Sequence, residues 1–144
     1  MKFVLPLFLL VGALTSQAPA APLDYVLPDL VVSDIQLTSS EDKIGDESHL
    51  LVRVQNIGDG PTAKSAPIIV LFSVDGKSVA WSDTLRTSLA AGDFAILRSN
   101  SGPDGKGTWK VAPGTHELCA VVNDAGDINE SKRTNNSVNL ILKK

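Results

Sequence analysis

The chain has 144 residues, room for one domain of ordinary size. Its 13 Lys and Arg against 16 Asp and Glu give a formal net charge of −3, which disfavours polyanions and sets nucleic acid aside as a partner. A single cysteine, Cys119, excludes an intrachain disulfide, so stability must come from a packed apolar core.

Residues 1–20 read as a secretory signal. Lys2 is the charged start, Phe3 to Leu14 the apolar segment, and Ala18-Pro19-Ala20 the small-residue cleavage site. Cleavage after Ala18 or Ala21 would leave proline at the mature N-terminus, so cleavage after Ala20 is expected. An apolar segment of about twelve residues is too short for ~30 Å of hydrocarbon, and no membrane span is expected. Removing the signal takes away Lys2 and leaves 12 bases against 16 acids, a net charge of −4. Residues 21–27 form a short leader with one aromatic, Tyr25.

Beyond the leader, strand-like segments alternate with turn clusters at the spacing of a sandwich or barrel. Leu30 and Val32 share one face while Ile35 and Leu37 fall on the other parity; a bulge near Ser33-Asp34 would bring all four onto one core. Leu50, Val52 and Val54 alternate with His49, Arg53 and Gln55, a half-buried pattern. Asn56-Ile57-Gly58-Asp59-Gly60-Pro61 is a turn. Ile68 to Val74 is apolar on both parities, which suits a central strand, and Asp75-Gly76 makes a hairpin.

Val79 and Trp81 alternate with Ser78, Ala80 and Ser82. A strand over Phe94 to Ser99 follows the Ala91-Gly92 turn, and a Gly-rich loop covers Asn100 to Gly107. Trp109 shares parity with Val111 and is expected in the core. Leu118, Ala120 and Val122 alternate with Glu117, Cys119 and Val121; Val138, Leu140 and Leu142 alternate with Asn139, Ile141 and Lys143. Sustained helical periodicity is absent after the signal. Seven to nine strands without a helix predict an all-β, antiparallel two-sheet sandwich.

Several stretches carry a more specific signal. They are Pro28-Asp29-Leu30-Val31-Val32, Val74-Asp75-Gly76, Trp81-Ser82-Asp83-Thr84, Ser88-Leu89-Ala90-Ala91-Gly92, Gly105-Lys106-Gly107-Thr108-Trp109, and the last third from Gly114-Thr115-His116 through Asn136. Together, over roughly residues 28–142, they resemble CARDB, a cell-adhesion-related immunoglobulin-like module common in secreted bacterial proteins. The resemblance implies an immunoglobulin-like or fibronectin type III-like sandwich over residues 28–144. It also implies a unit for adhesion or binding without chemistry of its own. The family pattern makes His116 a structural hydrogen-bonding residue and turns Ala95 and Leu97 toward the core. In contrast to relatives appended to glycoside hydrolases, this chain carries one such module alone.

The candidate sites are four. Asp124, Asp127, Asn129 and Glu130 place four oxygen-bearing side chains in seven residues, which is either a turn capped by its own side chains or a calcium site. The EF-hand ladder is missing. Asn135 and Asn136 would tie this loop to the last strand. Sugar binding needs planar aromatic surface beside fixed polar groups, and Trp81, next to Ser82-Asp83-Thr84, is the candidate at a rim. With Ala95 and Leu97 inside, Phe94 and Ile96 face out, and with Leu51 they form an apolar patch of the kind that marks a partner surface or self-association, unless a loop covers it. Cys119 is either a buried small hydrophobe or the source of an intermolecular disulfide. Two sequons, at Asn129 and Asn135, matter only in a host that glycosylates.

Neither His49 nor His116 lies in a nucleophile, metalloprotease or phosphate-loop pattern, so no catalytic residue is expected. The reading is a secreted, non-enzymatic binding module for an extracellular glycan or protein surface, with no obligate cofactor. The alternative is a self-associating structural or matrix protein, a homo-oligomer through the patch or Cys119.

Overall fold

Apolar side chains at every second position give each segment one face to bury, and two such sheets bury them against each other. The computed structural model describes residues 25–38 and 41–144. The expected signal at 1–20 and the first part of the leader lie outside them. Nine strands run in chain order: β1 (Leu30–Leu37), β2 (Glu47–Ser48), β3 (Leu50–Asn56), β4 (Ile68–Val74), β5 (Lys77–Leu85), β6 (Phe94–Arg98), β7 (Trp109–Lys110), β8 (Thr115–Val122) and β9 (Ser137–Lys143). One sheet has the order β1-β3-β6 and the other β5-β4-β8-β9, with β2 and β7 as a small ribbon, and all pairs are antiparallel. This is an all-β, immunoglobulin-like fold. Among the described residues, no helix is long and apolar enough to cross a membrane.

The expected bulge is present. Pairing of β1 with β3 shifts between Ser33 and Gln36, and Asp34 takes a positive φ of 56°. Leu30, Val32, Ile35 and Leu37 all become buried as a result. Leu50, Val52, Val54 and Leu97 complete that side of the core, facing Ile68, Val70, Phe72, Leu118, Ala120 and Val122. Full burial of such a side chain contributes about 1.5–3 kcal/mol. Phe72 is the largest side chain to be completely enclosed. Trp109 is buried as expected, and Val111 beside it. Strand β2 was not foreseen, because two residues carry no periodicity.

Two strands depart from simple alternation. In β5 the small side chains Ala80 and Ser82 face the core, while Trp81 and Asp83 face outward and Val79 is partly buried at the core's edge. Packing against the fully buried Phe72 leaves room only for small groups, so the bulky parity is turned out. In β9, an edge strand with one neighbour, Leu140 and Ile141 are both exposed, and Val138 and Leu142 are only half buried.

Polar groups secure the two ends of the sandwich. Asn56, fully buried, accepts from the amides of Asp29 and Gly58 (both 3.1 Å) and donates to the carbonyls of Gly60 (2.8 Å) and Leu89 (3.0 Å). With all its polar capacity used, it fixes the turn after β3. Gly60 sits where a Cβ would come within 2.2 Å of the Val26 carbonyl, so the leader can pass close only because that residue is glycine. At the other end His116 bonds Asp75 at 2.7 Å, and Asp75 accepts the Glu117 amide at 2.9 Å. This is the structural hydrogen bond expected of His116.

Candidate functional site

The outward parity of β4 and β5 builds a groove on the four-stranded sheet. Ile69 and Leu71 come from β4, Trp81 and Asp83 from β5, and Leu71 pairs directly with Trp81. Pro67 closes one side; Asn123, Asp124, Ala125 and Asp127, from the loop after β8, close the other. The concavity has a volume of about 310 Å³ and a mainly apolar floor. Its central aromatic is partly exposed. A backbone bridge holds that residue: the Trp81 amide donates to the Ser101 carbonyl at 2.8 Å, and the Asn100 amide donates to the Trp81 carbonyl at 2.9 Å. Asp83 accepts from Asn100 Nδ2 at 2.8 Å and lies 3.8 Å from Arg86. Trp81 thus presents its indole from a position fixed on both sides, which limits the ordering cost of binding.

The acidic loop divides into two parts. Glu130 turns inward and is buried; its carboxylate accepts from the Leu30 amide, Asn123 Nδ2 and Asn136 Nδ2, each at 2.6 Å. Asn123, at φ 52°, exchanges two bonds with the Ile128 backbone, at 2.8 and 3.0 Å, and so caps the turn with its own side chain. Asn136 also donates to the Val122 carbonyl, and Asn135 to Asp29, which ties the loop to both β8 and β1. Asp124 and Asp127 instead stay exposed at the rim of the groove. Asn129 is exposed on the side of the loop that faces Tyr25 to Pro28. The structure therefore separates Glu130 from the other three side chains of the calcium candidate. Among the described residues, no three His, Cys, Asp or Glu side chains are grouped to hold a metal ion.

On the opposite sheet Phe94 and Ile96 are more than half exposed, while Leu51 is half buried. Arg53, paired with Ile96 across β3 and β6, lays its guanidinium 4.1 Å from the Phe94 ring centre. The patch is thus apolar surface interrupted by a cation, and Leu51 lies opposite Arg98 rather than beside Phe94. Cys119 is only partly covered, on the outer face of β8 opposite Ser73. The partial burial raises its thiol pKa above the ordinary 9.0.

The two histidines hold the fold. His49 Nδ1 donates to the Ser99 carbonyl at 2.8 Å. The pKa of His116 is raised above 6.5, first by its bond to Asp75, whose own is lowered below 3.8 by the same bond. Sequence reasoning missed Asn123 and the groove-forming Ile69 and Leu71. The signal for Ile69 and Leu71 was available: a strand apolar on both parities must present apolar groups outward as well as inward.

A family model of CARDB matches residues 27–140. No curated protein matches the chain. Among solved structures, the CARDB domain of the PF1109 protein of Pyrococcus furiosus, in complex with di-metal ions, superposes with a TM-score of 0.60 at 18% identity, covering 90% of this chain and 98% of that one. The solution structure of the same Pyrococcus domain gives 0.59 at 18%, with coverages of 82% and 95%. A domain from Methanosarcina acetivorans, of a protein provisionally named as a cell surface protein, gives 0.60 at 20%, with 82% and 92%. At these identities the structures speak for the fold alone. The family match spans nearly the whole described chain, and the protein belongs to the CARDB family.

Proposed function

We propose that this protein is a secreted, non-enzymatic module that attaches to an extracellular polysaccharide or protein surface through the groove around Trp81. The single observation that carries this reading is the partly exposed indole held over an apolar floor with carboxylates at its rim. Sites that take sugars or apolar side chains combine such a surface with a few fixed polar groups. Family membership and the cell-surface name of the Methanosarcina relative support an extracellular setting, as does the N-terminal signal pattern. The absence of an enzymatic role is supported by the engagement of both histidines in structural bonds. An array of glycans and extracellular matrix proteins, probed with the mature domain and with Trp81→Ala, tests the reading. Binding that Trp81→Ala abolishes is expected; binding indifferent to that change overturns it.

Self-association is the second reading, favoured by the exposure of Phe94 and Ile96. A bound cation is a third. The Pyrococcus domain is in complex with two metal ions, and on this chain Asp124 and Asp127 are the carboxylates left free to meet one.

A further inference from the structure

We propose that the groove beside Trp81 takes a polysaccharide whose sugars carry protonated amino groups. This specifies the ligand of the binding reading above and rests on it.

The backbone of the groove selects against a peptide strand. Its floor is the face of the four-stranded sheet, and β4 is flanked by β5 and β8, whose ladders occupy its backbone N–H and C=O groups. An extended peptide gains affinity by adding main-chain bonds at a sheet edge. Here it would cover its own amides with nothing to receive them, which is costly. A sugar ring has no such need. Its C–H face packs on the indole of Trp81 and on Leu71 and Ile69, and its polar substituents require only side-chain acceptors.

The charge of the rim then selects among sugars. Every titratable side chain lining the groove is an acid: Asp83, Asp124 and Asp127. Arg86 stands against Asp83 and balances it, while Arg133 keeps its charge and offsets one of the two carboxylates of Asp124 and Asp127, so the rim stays net negative. Arg86 lies 3.8 Å from Asp83, and Arg133 donates to the Asn123 carbonyl at 3.2 Å. The carboxylates of Asp124 and Asp127 have no hydrogen-bond or ion-pair partner among the described residues. Uronic or sulfated sugars would be repelled. A neutral sugar would cover these carboxylates and give back only ordinary hydrogen bonds for the water removed. An ammonium group supplies charge-assisted bonds at the places where the rim offers negative charge.

The test uses the mature domain and four soluble probes: a glucosamine oligomer, its N-acetylated counterpart, an uncharged glucan of the same linkage, and a lysine-rich peptide. Equilibrium binding is measured for the wild type, Trp81→Ala and the double variant Asp124→Asn/Asp127→Asn, whose exposed positions leave folding intact. The glucosamine oligomer should bind at least tenfold tighter than the N-acetylated and uncharged probes, and the preference should shrink with added salt. The double variant should bind all three glycans alike, while Trp81→Ala should bind none. Equal binding of the three glycans by the wild type, or a preference that survives the double variant, overturns the amino-sugar proposal and leaves the binding reading standing. Glycan binding untouched by Trp81→Ala overturns both, whereas the absence of any glycan binding overturns the amino-sugar proposal alone. Capture of the lysine-rich peptide alone overturns the proposal in favour of a protein partner.

Discussion

Replacing Glu130 separates two roles that the acidic loop could have. As a surface ligand for calcium, its loss in metal-free buffer would leave stability unchanged. In the structure it is instead the buried acceptor for three donors, Leu30 N, Asn123 Nδ2 and Asn136 Nδ2, each at 2.6 Å. These bonds link the loop to β1, 100 residues away in sequence. Glu130→Ala strands all three donors in a site where Glu130 is 8% exposed. A buried donor left unsatisfied costs about 1–3 kcal/mol, and three sharing one cavity are not additive, so we expect about 3–5 kcal/mol in total. At roughly 4 °C per kcal/mol for a domain of this size, the melting midpoint should fall by about 12–20 °C. Glu130→Gln is the sharper probe. It keeps the volume but must point an NH₂ group at a donor, and should still cost about 2–3 kcal/mol. Urea and thermal unfolding in chelator give the answer. A Glu130→Gln change within about 0.5 kcal/mol of wild type would refute the buried-acceptor argument.

Four other outcomes follow from the same structure. Trp109→Ala should cost about 3–5 kcal/mol, as large core truncations do, and the single-Trp variant retaining Trp109 should resist quenchers; ready quenching would show the strand parity to be wrong. The clasp of His116 and Asp75 should make stability depend on pH. His116 donates from Nδ1 to Asp75 and from Nε2 to the Pro113 carbonyl, and only the imidazolium can make both bonds. Its raised pKa adds stability that is full below 6.5 and lost as pH climbs through the folded value, whereas the lowered pKa of Asp75, with Lys77 and Glu117 beside it, adds stability lost only in acid below 3.8. The advantage of wild type over His116→Gln should therefore shrink from pH 6 to pH 8, and a constant gap in denaturant melts would contradict this. Phe94→Thr/Ile96→Thr should fold normally, losing about 0.5–1 kcal/mol with the Arg53 contact; unchanged sedimentation and unchanged partner binding would remove the self-association reading. Calcium should leave the melting midpoint unmoved, because Glu130 is turned away from Asp124 and Asp127; a gain of about 2.7 kcal/mol at a hundredfold excess over the dissociation constant would instead support the cation reading.

Much of the fold was legible because one-sided burial writes a period of two into the sequence. Leu50, Val52 and Val54 could face only one way, and the parity break between Val32 and Ile35 required a bulge where Asp34 supplies one. Trp109 followed from the same rule, and the outward Phe94 and Ile96 from the family pattern that turns Ala95 and Leu97 inward. The groove was only half legible. Trp81 stood out as an aromatic beside polar residues, but its neighbours across the sheet, Leu71 and the loop carboxylates, depend on strand order, which periodicity does not encode. Glu130 and Asp127 look alike in the sequence. What separates them is the direction of the chain through the turn, set by Asn123 at its left-handed φ of 52°. Small groups on the buried parity of β5 read as a polar face until the bulk of Phe72 opposite Ala80 is known. Cys119 kept two readings for a related reason: its strand is central, yet its side chain falls on the outer parity of that sheet and is partly covered.

An indole that is the binding surface must be shielded by its ligand, and Trp109→Phe makes Trp81 the only indole in the chain. Acrylamide quenching of that variant, measured alone and then with saturating glucosamine or glucan oligomer, tests the claim directly. Ready quenching of the free protein and a severalfold loss of quenching with the oligomer bound are expected. Quenching that stays the same while the protein is demonstrably bound would place the binding surface elsewhere.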